Sequence, residues 1–512
     1  MIDSPRFEPL RGRDYSVRPP KSRETTSRDD LQTPGVSGVP RGINHTEKSY
    51  KTKLIGIANK KLVGPRTQPV SRTGVATPRF SENDLYGLAE KYGTPYFLID
   101  EQTLQKKVNE IEEAFSEFKG AFRVAYSVKA NFNPSVIKTF VEEGIVFDVT
   151  APAELRFVLK CGGSTANVIY TSITETLTEY EDVLALGVRK VVVASYNGLV
   201  NLGEAAARVG VLVETMVRVN PEVHVHAELR GSMGHGKFGL EMVRDRESED
   251  SAYSVLRRIL STPNLKFEGF HFHLGSQIED PSCYAEAIEK LEAFILGARK
   301  DLGHFDINTL DIGGGLPVPY GKRVPTPRDF SARIVSQLHS LGESLGRRFT
   351  LVAESGRFLT AESTILVAKV VNTKQFGDRR YVYVDAGYHI LLDAALLRHE
   401  YPVEVVSNGK APLDQQSPQH QQQHKTVLVG RLCDPLDVFP TSTRSKLAGA
   451  EPGKLVVFRE VGAYSIVMNM PFHSQPKPYV LMRNRNGSYR VARRGQDAES
   501  LFMAEGGDCL QN

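Results

Sequence analysis

The chain has 512 residues, 40% hydrophobic content and a formal net charge of +4 at pH 7. It is too long for one small core, so we expect two folded domains and additional segments. The small charge excess does not indicate nucleic-acid binding. No apolar run approaches the roughly 20 residues that span a bilayer, and the N-terminus lacks an apolar core behind its basic residues, so neither membrane insertion nor secretion is expected.

The cysteines bear on the cellular compartment. The four of them are scattered along the chain without the spacing of metal ligands. Such a pattern suits a reducing compartment better than a disulfide-bonded secreted fold. We therefore expect a cytoplasmic protein with no structural metal. The four residues are Cys161, Cys283, Cys433 and Cys509.

Two segments have low complexity. Residues 1–80 are rich in Arg, Ser, Thr, Pro and Gly and show no sustained hydrophobic period, which predicts a disordered basic tail. A transit peptide is the alternative, but acids such as Asp3 and Glu8 weaken it. Residues 414–425 read DQQSPQHQQQHK, which predicts a Gln-rich loop insertion without chemistry.

Strand-like and helix-like runs alternate between residues 103 and 363. The strand-like runs are AFRVAYSV, GIVFDV, ANVIYTS, KVVVAS, VLVETMVRV, FEGFHFHL, NTLDI and FTLVAE. This alternation is typical of a closed (βα)8 barrel, in which the chemistry lies at the carboxyl ends of the strands. The residues that end each run are therefore the candidate site.

The pattern changes after Ser363, where strands follow one another without helices between them. The runs TILVAKVVNTK, RRYVYVDAG, KTVLVGRL and KLVVFREVG predict an antiparallel β domain. The run PYFLID just before the barrel could join it. That domain would then combine residues 81–102 with residues 364–512.

The first barrel run ends in Lys129. A buried barrel mouth could lower the pKa of this amine and make it a Schiff-base nucleophile, although an isolated lysine is more often a surface residue. The sixth run carries His271 and His273 on one face, because side chains alternate along a strand. A metal site would need a third ligand, and none stands at a suitable spacing, so a ring-stacking role for His273 is favoured.

The last two barrel runs end in the segments DIGGG and ESGR. The glycines Gly313–Gly315 allow backbone N–H groups to approach an anion, although an isolated glycine triplet is as often a bare turn. Glu354 offers a carboxylate, and Arg357 offers a guanidinium for phosphate. An amine, a stacking ring, a phosphate loop and a carboxylate for a pyridine nitrogen are the groups that pyridoxal phosphate requires.

In their order and spacing these motifs are similar to those of a known enzyme family. The matching segments are YSVKAN, HFHLGSQI, GGG, ESGR, DAG, CDPLD and GAY, spread between about Tyr92 and Tyr479. The chain resembles the ornithine/diaminopimelate/arginine decarboxylases, which have an alanine-racemase-like barrel and a C-terminal β domain. The resemblance implies a pyridoxal 5'-phosphate (PLP)-dependent amino-acid decarboxylase.

The resemblance assigns roles to individual residues. Lys129 would form the Schiff base with PLP, His273 would stack on the pyridine ring and Glu354 would hold the ring nitrogen. The other cofactor-binding residues would be Ser276, Gly313, Gly314, Gly315, Gly356, Arg357 and Tyr464.

The CDPLD segment implies an obligate homodimer with shared active sites. In the family, the residue corresponding to Cys433 is catalytic and reaches the partner subunit's active site, whereas Cys433 as a buried structural thiol is the alternative. Asp434 beside it would contact the distal end of the substrate. Lys237 matches a family lysine that pairs across the dimer with the aspartate corresponding to Asp437.

The substrate remains open at this stage. Diaminopimelate decarboxylases carry an arginine motif that binds the distal carboxylate, and here Asp393 occupies its place. The acid would repel a second carboxylate, whereas Asp385 and Asp434 would attract a distal ammonium. A larger amino-acid conjugate, as in siderophore or antibiotic pathways, is the main alternative. A racemase or a non-catalytic homologue fits less well.

Overall fold

The computed structural model describes residues 79–225, 227, 229–230, 236–244, 248–406, 425–440 and 447–511. The predicted tail therefore lies outside the described residues apart from its last two, and the Gln-rich insertion does so apart from Lys425. Both predictions stay untested.

The described chain begins with α1 (Glu82–Tyr92), β1 (Tyr96–Asp100) and α2 (Glu101–Ala114). Both helices begin at a residue whose side chain accepts a backbone N–H. Ser81 accepts from the amide of Asp84 at 3.1 Å, and Asp100 accepts from that of Thr103 at 3.0 Å. Such caps satisfy amides that have no partner inside the helix.

The strands that follow are β2 (Ala121–Ser127), β3 (Val146–Val149), β4 (Val168–Tyr170), β5 (Lys190–Val193), β6 (Val213–Asn220), β7 (Leu229–Arg230), β8 (Leu240–Glu241), β9 (Leu265–His271), β10 (Gly275–Ser276), β11 (Thr309–Asp311) and β12 (Thr350–Ser355). Eight of them, namely β2, β3, β4, β5, β6, β9, β11 and β12, pair in parallel in this order. β12 pairs back onto β2 and closes the barrel. Each strand lies within one of the eight predicted runs or overlaps it, so the predicted (βα)8 barrel is confirmed.

Helices alternate with these strands. They are α3 (Pro134–Glu142), α4 (Pro152–Lys160), α5 (Leu177–Ala185), α6 (Tyr196–Val209), α7 (Ala252–Leu260), α8 (Ser282–Leu302), α9 (Pro327–Leu345) and the single turn α10 (Arg357–Thr360). Three of them begin with proline in the first turn, where its missing N–H costs nothing. At α9, Thr326 and Asp329 form a reciprocal capping box.

Apolar side chains from five of the eight strands fill the inside of the barrel. Ala125, Ile169, Val192, Met216 and Val352 form a buried cluster there. Residues two positions further along a strand point to the same face, because side chains alternate with a period of two. Beyond the apolar layer, at the carboxyl ends of the strands, the barrel therefore carries polar side chains.

The second sheet follows the barrel along the chain. Its later elements are β13 (Thr364–Phe376), β14 (Arg379–Val384), α11 (Leu392–Leu396), β15 (Val403–Val405), β16 (Lys425–Val429), β17 (Val438–Phe439), β18 (Leu455–Phe458), β19 (Tyr479–Arg483), β20 (Tyr489–Arg493) and α12 (Ala498–Ala504). β1 belongs to the same sheet, between β13 and β19. The sheet is mixed, because β1 pairs with β19 and β14 with β16 in parallel. The sequence pattern predicted an antiparallel domain. The two parallel pairs are possible because a long stretch of chain connects β1 to β19 and β14 to β16.

The described residues show two further general features. None of the helices that the structure describes is both long and apolar enough to cross a membrane. All four cysteines are free. Thiols of this kind are typical of proteins in reducing compartments.

Candidate active site

Lys129 lies in a short 3-10 turn directly after β2. Its Nζ is 3.0 Å from Oδ2 of Asp148, a buried carboxylate on β3. Burial lowers the pKa of Lys129, but the charges of Asp148 and Glu354 raise it by more, so that it lies above its usual value. The prediction that burial lowers the pKa of Lys129 is wrong for the free amine. The charges of two carboxylates on neighbouring strands have a larger effect than burial.

Glu354 stands near the end of β12 and is 3% exposed. One carboxylate oxygen lies 3.3 Å from Nε2 of His271, and the other lies 3.7 Å from Nδ1 of His273. Burial raises the pKa of Glu354, but His271 and then Lys129 lower it by more, so the carboxylate is ionised at neutral pH. The barrel mouth therefore holds a fixed negative charge.

His273 follows β9 and contacts the glycine segment. Its Nδ1 accepts the backbone N–H of Gly314 at 3.0 Å. Burial lowers the pKa of His273 to about 3, so the imidazole is neutral. A neutral ring held by a backbone amide offers a flat face of fixed orientation.

The glycines 313–315 make a tight backbone cradle. Gly313 has φ = +66°, and a Cβ there would lie 2.4 Å from the carbonyl oxygen of Phe272. Gly315 has φ = +136°, and its Cβ would lie 2.6 Å from Cδ1 of Ile278. Larger residues would be strained in both positions, so the close backbone approach depends on glycine.

Arg357 contacts two other residues that were predicted to bind the phosphate, Ser276 and Tyr464. Its Nε donates to Oγ of Ser276 at 3.3 Å, and Nη1 donates to the hydroxyl of Tyr320 at 3.1 Å. The guanidinium lies 4.8 Å from the ring centre of Tyr464. Next to it, a Cβ on Gly356 would lie 2.8 Å from Cβ of Ala130, which leaves no room for a side chain. A buried cation beside a backbone cradle is suited to bind an anion.

Asp393 lies in α11, and its carboxylate faces the same guanidinium. The distance from its Oδ2 to Nη1 of Arg357 is 3.8 Å, and both side chains are buried. The sequence placed Asp393 among the substrate-binding residues. Its charge instead lies beside Arg357, so the role at the distal end of a substrate stays a prediction.

Two other predicted residues, Cys433 and Asp434, lie in a loop between strands of the second sheet. Cys433 is exposed, and its amide donates to Nδ1 of His473 at 3.3 Å. Asp434 accepts from the hydroxyl of Tyr388 at 3.1 Å. In the single chain the Cys433 thiol is exposed, and the choice between a structural and a catalytic role for it stays a prediction.

Two further aspartates are engaged within their own chain. Asp385 accepts from the Thr94 hydroxyl at 2.6 Å and from the Lys369 amide at 2.8 Å. Asp437 is buried and accepts the amides of Leu432 at 2.7 Å and Tyr388 at 2.8 Å. The predicted pairing of Asp437 with Lys237 across a dimer is not tested by these contacts.

Sequence reasoning missed Asp148 and Arg218. Arg218 is buried in β6, two residues after the inward-facing Met216, and its guanidinium lies 4.7 Å from the ring centre of Phe238. Both residues are buried charged groups within barrel strands. The period-two alternation identifies them, because each stands at an inward position beyond the apolar layer.

The sequence also missed acids close to His271. Asp311 on β11 and Glu354 on β12 each place an oxygen within 4.8 Å of a His271 ring nitrogen. The expectation that no third candidate ligand accompanies the histidines was therefore wrong. Spacing along the chain could not find this group, because the three residues come from separate strands.

A (βα)8 barrel with an amine, a glycine cradle, a buried arginine and an ionised carboxylate at the ends of its strands defines a barrel enzyme that binds a phosphorylated cofactor. Residues 101–361 match the family model described as "Pyridoxal-dependent decarboxylase, pyridoxal binding domain". The chain belongs to the pyridoxal-dependent decarboxylases.

Several proteins to which the chain is similar are diaminopimelate decarboxylases. The chain is 31% identical over 432 residues to diaminopimelate decarboxylase of Methanothermobacter thermautotrophicus, covering 82% of this chain and 94% of that protein. It is 27% identical over 426 residues to the Zymomonas mobilis enzyme of the same name, with the same coverage of both chains. The crystal structure of diaminopimelate decarboxylase from Helicobacter pylori complexed with L-lysine has a TM-score of 0.71 at 25% identity, covering 83% of this chain and 99% of that one.

Proposed function

We propose that this decarboxylase binds PLP through Lys129 and removes CO2 from a diamino acid of the ornithine, lysine or diaminopimelate class. The observation that carries the proposal is the convergence of Lys129, Glu354 and Arg357 on the carboxyl ends of adjacent barrel strands. The four free cysteines support a cytoplasmic location.

The residues fit the cofactor at three points. The glycine cradle and Arg357 would hold the phosphate, since both present donors to an anion. Lys129 would hold the cofactor covalently through its amine. Glu354 would hold the pyridine nitrogen, since its buried carboxylate is ionised.

Each side chain at the barrel mouth would have a separate role in the decarboxylation. When bound, the cofactor supplies an electron sink for the electron pair that loss of CO2 leaves on the substrate. The ionised Glu354 favours a proton on the ring nitrogen, because a negative charge nearby stabilises the protonated form. Lys129 holds a proton opposite Asp148, and the neutral His273 supports one face of the ring. Cys433 would return a proton to the substrate carbon from the partner subunit.

Selectivity between diamino acids would depend on the residues that contact the distal end of the substrate. The arginine that binds a second carboxylate in diaminopimelate decarboxylases is absent here, so a distal carboxylate would lack its bidentate partner. Because Asp393 lies beside Arg357, the missing arginine supports this inference more strongly than the charge of Asp393 does. Asp434 and Asp385 would favour a distal ammonium.

We expect ornithine and lysine to release CO2 with a higher kcat/KM than meso-diaminopimelate. The reason is that, without the arginine that diaminopimelate decarboxylases use at the distal end, a second carboxylate would be left unpaired, which costs about 1–3 kcal/mol or roughly 5- to 150-fold. The measurement is CO2 release from a panel of L- and D-ornithine, lysine, arginine and meso-diaminopimelate. A preference for diaminopimelate would show that the argument from the missing arginine is wrong, and no release from any member would favour a larger conjugate.

We infer a homodimer with shared active sites. Cys433 is exposed on the single chain, and the exposed side chains of Leu436 and Phe472 surround the same segment. An exposed catalytic thiol among apolar side chains fits a segment that enters a partner's site.

Mixing two defective variants tests the shared sites. Lys129→Ala and Cys433→Ala are each expected to be strongly impaired. When subunits exchange at random, half of the dimers are mixed and each contains one intact site, so about a quarter of wild-type activity should return. Size-exclusion chromatography with light scattering shows whether each variant is a dimer, and mixing Lys129→Ala with Glu354→Ala is the control that cannot recover. A dimer whose mixtures gain nothing would place Cys433 outside the partner's site.

A further inference from the structure

Three buried polar side chains meet at the ends of adjacent barrel strands. His271, Asp311 and Glu354 belong to β9, β11 and β12, and they are 1%, 0% and 3% exposed. Their ligand-type atoms lie within 4.8 Å of one another. Within the described residues, both ring nitrogens of His271, Oδ2 of Asp311 and Oε1 of Glu354 have no hydrogen-bond partner of good geometry. Unpaired buried groups are costly, so the cluster requires a functional explanation.

The distances indicate how the three groups interact. Nε2 of His271 lies 3.3 Å from Oε1 of Glu354, within reach of a charge-assisted hydrogen bond after a small rotation of the ring. Oδ1 of Asp311 already accepts the N–H of Gly313 at 2.8 Å. Oδ2 of Asp311 has no hydrogen-bond partner among the described residues, and one of the two Asp311 oxygens lies within 4.8 Å of an oxygen of Glu354.

Two carboxylates this close in a buried site repel each other, so the charge of one raises the pKa of the other. Burial and the charge of Glu354 raise the pKa of Asp311 well above its usual range, whereas His271 and Lys129 lower that of Glu354 despite burial. The single negative charge therefore rests on Glu354. The other charged or titratable groups that act on the pair are Lys129, Asp148, Arg218 and His273.

Resting on the proposed function, we propose that His271 and Asp311 are positioning residues for Glu354. His271 donates its Nε2 proton to one oxygen, and Asp311 stays protonated and can donate from Oδ2. Together they keep Glu354 ionised and fix its carboxylate for the ring nitrogen of the cofactor. Neither residue touches the substrate, and each acts through Glu354.

The test compares the binding of PLP with that of its 1-deaza analogue, in which carbon replaces the ring nitrogen. Apo-protein is titrated with each compound, and the ratio of the two dissociation constants is measured. Wild type should prefer PLP by about 10- to 100-fold, as expected for one charge-assisted hydrogen bond. His271→Leu should bring the ratio within about threefold of one, because Glu354 loses its donor. A merely structural role would weaken the binding of both compounds equally.

Conservative variants serve as controls. His271→Gln places an amide N–H near the position of Nε2 and should restore most of the preference for PLP. Asp311→Asn is neutral like a protonated acid and should keep the preference within about threefold, whereas Asp311→Ala removes the donor and should reduce it. Thermal unfolding of each apo-protein shows whether the variant is folded. An unchanged ratio in His271→Leu, or a lost preference in Asp311→Asn, overturns the assignment.

Two further outcomes are informative. One equivalent of a metal ion in purified wild type that is lost in His271→Leu would overturn the inference, because the cluster would then serve an ion. Wild type that binds neither compound would refute the proposed function itself. Wild type that binds PLP and the analogue with equal affinity would refute this inference alone.

Discussion

Lys129→Ala is expected to lower kcat by at least about 10³-fold, towards the upper end of the range for losing a group that handles protons at the reacting centre. The variant should also lose the covalent attachment of the cofactor, because residues 128–133, which join β2 to α3, contain no other lysine. CO2 release in single-turnover and steady-state assays measures the first effect. The visible absorbance of the purified protein measures the second.

Lys138→Ala is a matched control for this prediction. Lys138 lies exposed on α3, the helix that follows β2 and the Lys129 turn. Removing its amine changes the net charge by the same amount and should leave both CO2 release and absorbance unchanged. Full activity in Lys129→Ala would contradict the proposal that Lys129 binds the cofactor covalently and takes part in the reaction.

Glu354→Gln is expected to lower kcat by about 10²- to 10³-fold, the range for losing one preorganised electrostatic contact, and to change KM by less than about threefold. The amide keeps the volume of the side chain but has no charge, so the ring nitrogen would no longer be held in its protonated form. The measurement is the separate determination of kcat and KM for the preferred substrate.

Glu343→Gln, on the exposed face of α9, is the control for general charge effects and should behave as wild type. If Glu354→Gln raised KM and left kcat unchanged, Glu354 would act in substrate binding instead of acting on the cofactor.

Much of the barrel could be predicted because its signal is local. Each of the eight strands is a short run of β-branched and aromatic residues, and the helix between two runs has its own cap and period. The site residues at strand ends, such as Lys129 and Glu354, follow from the rule that barrel chemistry lies at the carboxyl ends. No coordinates are needed for that step.

Properties that depend on contacts between strands could not be predicted. The raised pKa of Lys129 comes from Asp148 on β3 and Glu354 on β12. The sequence run that contains Lys129 does not show that either carboxylate lies close to it. The pairing of Asp393 with Arg357 joins α11 to α10. The acids beside His271 likewise come from other strands, so a search by spacing along the chain missed them.

The directions of the strands in the second sheet could not be predicted either. Its strands were found from their composition, but the parallel pairing of β14 with β16 depends on a connection that passes through residues outside the described part of the chain. Strand direction is set by such connections and not by the strands themselves. The mixed sheet was therefore beyond prediction from the runs alone.

Reduction of the purified protein with borohydride, followed by peptide mass mapping, tests the central claim most directly. Borohydride fixes an imine between a lysine and the aldehyde of PLP as a stable secondary amine. The account predicts a pyridoxyl adduct on the peptide that contains Lys129 and its absence from that peptide in untreated protein. An adduct on a different lysine, or none when PLP is supplied in excess, would contradict it.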